Sequence, residues 1–221
     1  MGKNVKRLFT DFQPKHYVLD LSVDKAKNTF HGSVVITGHK SGRPSQRLTF
    51  HQNALTIIEA SITKSDKKES HEIKVDRINH HGRFDEVRLH TTQKLYPGAY
   101  TVNLEFKGKI TRQMNGIYPC LFEHDGAKKQ LVATQFESHH AREVFPCIDE
   151  PQAKATFDLI LHTPLHETVV ANTPIKEQTK AKNELVTAFE TSPHMSTYLL
   201  AFVFGELKFK EKTFLLLRKW S

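Results

Sequence analysis

The 14 histidines of this sequence make a metal centre the first chemistry to test. A zinc peptidase motif, H-E-x-x-H, sets two histidines one helical turn apart, so that both imidazoles reach one ion while the glutamate activates water. Two His-Glu pairs occur and neither completes the pattern: His71-Glu72 runs on to Val75, and His166-Glu167 to Val170. His162 and His166 stand four apart, but Pro164 between them breaks a helical turn. His80-His81 and His139-His140 are adjacent pairs, which in a strand face opposite ways. No protein zinc site is expected in this chain. P-loop, G-x-G-x-x-G and G-x-S-x-G patterns are also absent.

The two thiols, Cys120 and Cys147, are too few for a disulfide framework in 221 residues and read as free thiols of a reducing compartment, with a single bridge between them as the alternative. The densest chemistry lies in Asn115 to Phe157, NGIYPCLFEHDGAKKQLVATQFESHHAREVFPCIDEPQAKATF. It reads as strand, turn, strand around Asp125-Gly126, the second strand ending at Phe136. Pro146 and Pro151 enclose the acidic pair Asp149-Glu150 and fix a rigid irregular loop. Glu137 follows a strand end, a place where rigid scaffolds commonly display functional groups. From its chemistry alone it reads rather as a solvated carboxylate.

The elements that must position these groups are strands. Apolar residues alternate with polar ones in runs punctuated about every 8 to 15 positions. Tyr17, Leu19, Leu21 and Val23 share one face of the first run; Tyr100, Val102, Leu104 and Phe106 share one face of a later one. Further runs cover Phe30 to Gly38, Leu55 to Lys64, His71 to Val75 and Phe84 to Thr91. Beyond the midpoint come Gln130 to Phe136, Ala155 to His162, Glu167 to Asn172, Glu184 to Thr191 and Thr197 to Phe204. Such alternation buries one sheet face and solvates the other, the antiparallel signature. Turn residues agree at Asp24 to Asn28, Lys64 to Lys68 and Tyr96-Pro97-Gly98. No helical period is sustained. The expected fold is all-β, a saddle-like antiparallel β-sandwich.

Composition excludes several classes. With 38% hydrophobic residues and 15 Phe, the chain has core material enough to exclude intrinsic disorder. The net charge of +8 favours anionic surfaces, but the basic residues are spread along the chain. The alternation of Phe and Lys from Phe204 to Phe209 is what a half-buried edge strand requires, so nucleic-acid binding is not expected. No apolar region follows the basic N-terminus, and no window reaches the roughly 18 apolar residues of a membrane span. A cytoplasmic protein is expected. The run Phe214 to Leu217, beside Arg218, Lys219 and Trp220, reads as a pairing or buried strand rather than a membrane anchor.

The string Ala133-Thr134-Gln135-Phe136-Glu137, then Ala141-Arg142, then Phe145-Pro146-Cys147-Ile148-Asp149-Glu150-Pro151, resembles the N-terminal domain of zinc aminopeptidases of the aminopeptidase N family. Pro14 to Leu21, Asn115 to Tyr118, Lys154 to Phe157 and Ser192 to Phe202 are similar to that domain in the same order, so the resemblance spans roughly residues 10 to 209. It implies a saddle-like β domain at residues 1–209 that lends a catalytic zinc domain one wall of its substrate pocket. By resemblance, Glu137 helps bind the free α-amino group of peptide N-termini and Gln135 lines the first side-chain pocket. The same resemblance implies a mainly structural role for the Phe145 to Pro151 loop, with a part in shaping the interface with the catalytic domain. The G-x-M-E-N and H-E-x-x-H motifs of the catalytic domain do not occur, so zinc belongs to that missing domain and the chain alone is expected to be inactive. Residues 210–221 read as a truncated or aberrant tail where the catalytic domain would begin. The alternative is a stand-alone β-sandwich binding module. An apolar patch uncovered near Glu137 and Gln135 is expected of half an interface, and a covered one of a free module.

Overall fold

The computed structural model describes residues 7–65 and 70–208. Among them are fifteen strands, four three-residue 3-10 turns and no α-helix. The largest sheet runs β13 (Ile175–Ala181), β14 (Glu184–Phe189), β11 (Thr156–Pro164), β1 (Phe12–Asp24), β2 (Thr29–Lys40), β8 (Gly98–Lys109), β4 (Thr56–Ser65) and β5 (Ser70–Ile73). A four-stranded sheet runs β12 (Thr168–Ala171), β15 (Phe202–Gly205), β10 (Ala127–Gln135) and β9 (Gly116–His124). A three-stranded sheet runs β3 (Ser45–His51), β7 (Glu86–Leu95) and β6 (Val75–His81). The fold is all-β and sandwich-like, as the alternation implies.

Register turns the sequence pattern into a core. Phe157, Tyr17, Ile36, Val102 and Ile62 stand opposite one another across β11, β1, β2, β8 and β4, forming one apolar row through the large sheet. All five are buried, and each such side chain contributes about 1.5–3 kcal/mol of transfer free energy. Tyr17 stacks on Phe157 at 4.9 Å and meets Phe145 edge-on at 6.1 Å. The loop containing Phe145 therefore packs onto the centre of the large sheet.

Pairing direction departs from the antiparallel expectation at one place: β1 and β11 are parallel. Alternation records which face is buried, and a parallel partner leaves that record unchanged. Three strands also lacked a signal. All seven residues of β13 are exposed, β6 is largely polar, and the run Leu48-Thr49-Phe50 in β3 is buried without alternating. The expected strand from Thr197 is a 3-10 turn, Thr197–Leu199, before β15 begins at Phe202. The expected features at residues 210–221, and most of the Lys64 to Lys68 turn, lie outside the described residues. Among the described residues, no helix is long and apolar enough to cross a membrane.

Candidate functional site

The hairpin of β9 and β10 closes on Asp125-Gly126, both at positive φ (52° and 74°), the conformation a two-residue type I′ turn needs. That turn sets a register in which Val132 faces inward beside Phe204 and Val169, all three buried. Residues of the other parity, Leu131, Ala133 and Gln135, face outward. Along the outward face, Val170, Val203, Ala133 and Tyr118 form one row across all four strands, with Leu131 and Cys120 forming the next pair. These side chains are half-buried or exposed, and Val170 and Phe122 keep 44% and 38% of their surface. These apolar side chains lie on the same sheet face as Gln135.

Phe136 pins the end of this strand. It is buried, and its ring meets Phe145 at 6.2 Å, so Gln135 before it and Glu137 after it are both turned out to solvent. The backbone N–H of Glu137 donates to the Gln135 Oε1 at 3.2 Å. The Glu137 carboxylate makes no hydrogen bond or ion pair with any described residue. His140 N–H then returns to the Phe136 carbonyl at 2.9 Å, closing the turn. His139 and His140 do not point to opposite faces, because they lie in this turn and not in a strand; their rings stack at 4.9 Å. Both Gln135 and Glu137 are exposed.

The loop below them is a buried hub. Asp149 Oδ2 accepts from Arg142 Nε at 3.0 Å, its Oδ1 accepts from the Thr197 hydroxyl at 2.7 Å, and Arg142 Nη2 donates to the Asp149 carbonyl at 3.1 Å. Glu150 Oε1 accepts from Leu8 N–H at 2.7 Å, and Ile148 N–H donates to the Tyr17 hydroxyl at 3.1 Å. Cys147 exchanges both backbone hydrogen bonds with His51. Its thiol is free and buried, and burial raises its pKa well above the usual thiol value. These bonds tie the loop into the core. Cys120 is also free.

His51 is locked neutral by the hub. Its Nδ1 accepts from Asp149 N–H at 3.0 Å. Burial, reinforced by the Arg142 guanidinium and partly opposed by the Cys147 backbone, pushes its pKa down to about 3. The unfolded chain protonates this imidazole near the ordinary 6.5. Unfolded molecules therefore hold the extra proton between those values. The contribution is complete above about pH 6.5 and is lost toward pH 3, at up to roughly 1.4 kcal/mol per pH unit. His51→Gln is expected to flatten the dependence of the urea midpoint on pH across that window; an unchanged slope would assign the dependence to other groups.

Among the described residues, no group of three or more His, Cys, Asp or Glu is arranged to hold a metal ion. His162 is engaged instead between Asp20 and Glu184, at 3.2 Å to each. Phe204, read as part of an aromatic and basic run, is fully buried in β15. One polar cluster escaped the sequence reading: Arg47, Arg77, Arg88 and His90 meet on one face of the three-stranded sheet. The available signal was the spacing Glu86, Arg88, His90, but β3 and β6 had to be recognised before the rest could join it.

Comparison with known proteins bears on this geometry. The Peptidase M1 N-terminal domain family matches residues 13–199. Aminopeptidase N of Lactococcus lactis subsp. lactis is 40% identical over 210 residues, which are 94% of this chain and 23% of the relative. Aminopeptidase M1 of Arabidopsis thaliana is 32% identical over 90% of this chain and 22% of its own length. Puromycin-sensitive aminopeptidase of Caenorhabditis elegans is 33% identical over 92% of this chain and 21% of its own length. The chain thus spans about a fifth of the length of the curated relatives it matches.

Proposed function

The chain belongs to the Peptidase M1 N-terminal domain family, and on that premise we propose that it is the substrate-anchoring domain of a zinc metallo-aminopeptidase that removes N-terminal residues from peptides. In this reading residues 1–209 form the domain. Its partner is a catalytic domain of the same enzyme, which supplies the zinc. The observation that carries the reading is the Glu137 carboxylate, exposed, without a partner among the described residues, and set beside Gln135 at the end of a strand whose outward face is apolar and half-buried. A carboxylate on a rigid strand end recognises an ammonium, and so measures a peptide from its N-terminus. Gln135, outward on the same strand, is placed to border the side chain of the first residue. The row from Val170 to Tyr118 is the surface on which the catalytic domain would rest. Two free thiols suit a cytoplasmic setting.

The test pairs this chain with the catalytic remainder of a related aminopeptidase N separated from its own N-terminal segment. The chain alone is expected to release no amino acid from aminoacyl reporter substrates, and the pair to restore release. A charge-assisted hydrogen bond contributes about 1.5–3 kcal/mol, so Glu137→Gln is expected to lower kcat/KM by roughly tenfold or more. Zinc-dependent turnover by the chain alone, or kinetics indifferent to Glu137→Gln, would overturn the reading.

A further inference from the structure

We propose that the outward face of the β3, β7 and β6 sheet binds a multiply charged phosphate-type oxyanion, gripped by the guanidiniums of Arg47, Arg77 and Arg88 around His90. The inference stands independently of the peptidase reading.

Register brings these groups together. Arg47 is the direct partner of His90 across β3 and β7, and Arg77 is its direct partner across β6 and β7. Side chains so opposed have Cβ atoms about 4.5–5.5 Å apart, close enough for both guanidiniums to reach the space above the imidazole. Arg88 precedes His90 by two residues and lies on the same face. Its guanidinium holds the Glu86 Oε2 through Nε at 2.9 Å and Nη2 at 2.7 Å. Arg47 and Arg77 form no ion pair with a described residue. Arg47 and Arg77 thus flank His90 from the two outer strands, while Arg88 stands opposite Thr49 and Asn79.

Two further observations point to a ligand. His90 Nε2 is buried and has no hydrogen-bond partner, although a buried polar atom normally has one. A groove of about 540 Å³ opens beside it, lined by Arg43, Ser45, Gln46, Arg47, His90 and Asp11, with Arg77 and Arg88 outside its lining. The acid among them, Asp11, lies 3.7 Å from the buried Lys40 ammonium. Burial and then the fields of Arg77, Arg47 and Arg88 hold the His90 imidazole below its ordinary pKa. Cations strung along a strand would suit an extended acidic chain. Cations converging on one imidazole suit a compact anion, and the arginine fork matches phosphate oxygens.

The experiment titrates the 221-residue chain with inorganic phosphate, pyrophosphate and a phosphoserine peptide at constant ionic strength, following binding by calorimetry and the His90 ring by NMR. Saturable binding is expected, with the His90 pKa moving up toward the ordinary histidine value. The double variant Arg47→Gln with Arg77→Gln, on side chains outside the core, is expected to weaken binding at least tenfold. Pyrophosphate binding more tightly than the peptide assigns a free oxyanion, and the reverse order assigns a phosphoryl group carried on a polypeptide; either supports the site. Linear heats matched by chloride, or equal binding by the double variant, would overturn it. So would variants that only weaken association with an aminopeptidase catalytic domain, which would make this face a charged interdomain contact.

Discussion

Asp149→Ala is expected to lower the stability of the domain by about 3–5 kcal/mol, the cost of leaving a buried charge without its partner. The carboxylate is almost wholly enclosed, and the Arg142 side chain it neutralises is itself only 13% exposed. Three donors converge on it: Arg142 Nε at 3.0 Å, Arg142 N–H at 3.3 Å and the Thr197 hydroxyl at 2.7 Å. Alanine strands all three, and the remaining acid near Arg142, Asp85, stands 3.8 Å from Nη1 in a partly exposed position. Urea unfolding reads the effect as a lower midpoint at unchanged slope. Adding Arg142→Ala to the variant is expected to recover part of the loss, since the stranded guanidinium is then gone. A midpoint within about 1 kcal/mol of the parent would show that the pair contributes no more than a surface ion pair does.

Phe145→Ala is expected to cost about 3–5 kcal/mol by the same measurement, through a cavity rather than a charge. Phe145 is fully buried and bridges two rings, Tyr17 at the centre of the large sheet and Phe136 at the end of β10. Its loss empties the space between the sheet and the strand that carries Gln135 and Glu137. Phe145→Leu retains most of the volume and is expected to lose under half as much. In the paired assay, if Gln135 and Glu137 anchor substrate as proposed, Phe145→Ala is further expected to raise KM more than it lowers kcat, because the anchor is loosened and not removed. Equal stability of the leucine and alanine variants would rule out the cavity account.

The large sheet was legible because its strands are buried on one face. Tyr17, Leu19, Leu21 and Val23 announce that face by alternating, and all four are buried. β13 was illegible for the opposite reason: with both faces in solvent, Ile175–Ala181 has no apolar period to read. Its strand character comes from pairing with β14, which local sequence does not record. The candidate anchor was legible through resemblance, not chemistry, since one glutamate after a strand end reads as a solvated side chain. The structure adds what the string could not: Phe136 is inward, so Gln135 and Glu137 must be outward. The arginine face was hidden because its members come from three strands, two of which lack a strong signal.

The parallel pairing of β1 with β11 also governs the order in which the molecule can assemble. β1 meets β2 through a short turn as soon as both have been synthesised, but its other edge waits for residues 156–164. Throughout that interval the strand that will lie mid-sheet is an edge, with unpaired backbone groups and an apolar face. Separations this long place assembly among the slower, millisecond-to-second processes. A nascent chain on a ribosome would therefore display β1 until most of the domain had emerged, and polypeptides halted before Pro164 would keep that edge open to one another. The two strands beyond it in the sheet, β14 and then β13, can extend the sheet only after β11 has docked, so the last-made part of the large sheet is joined to the rest through its first-made strand.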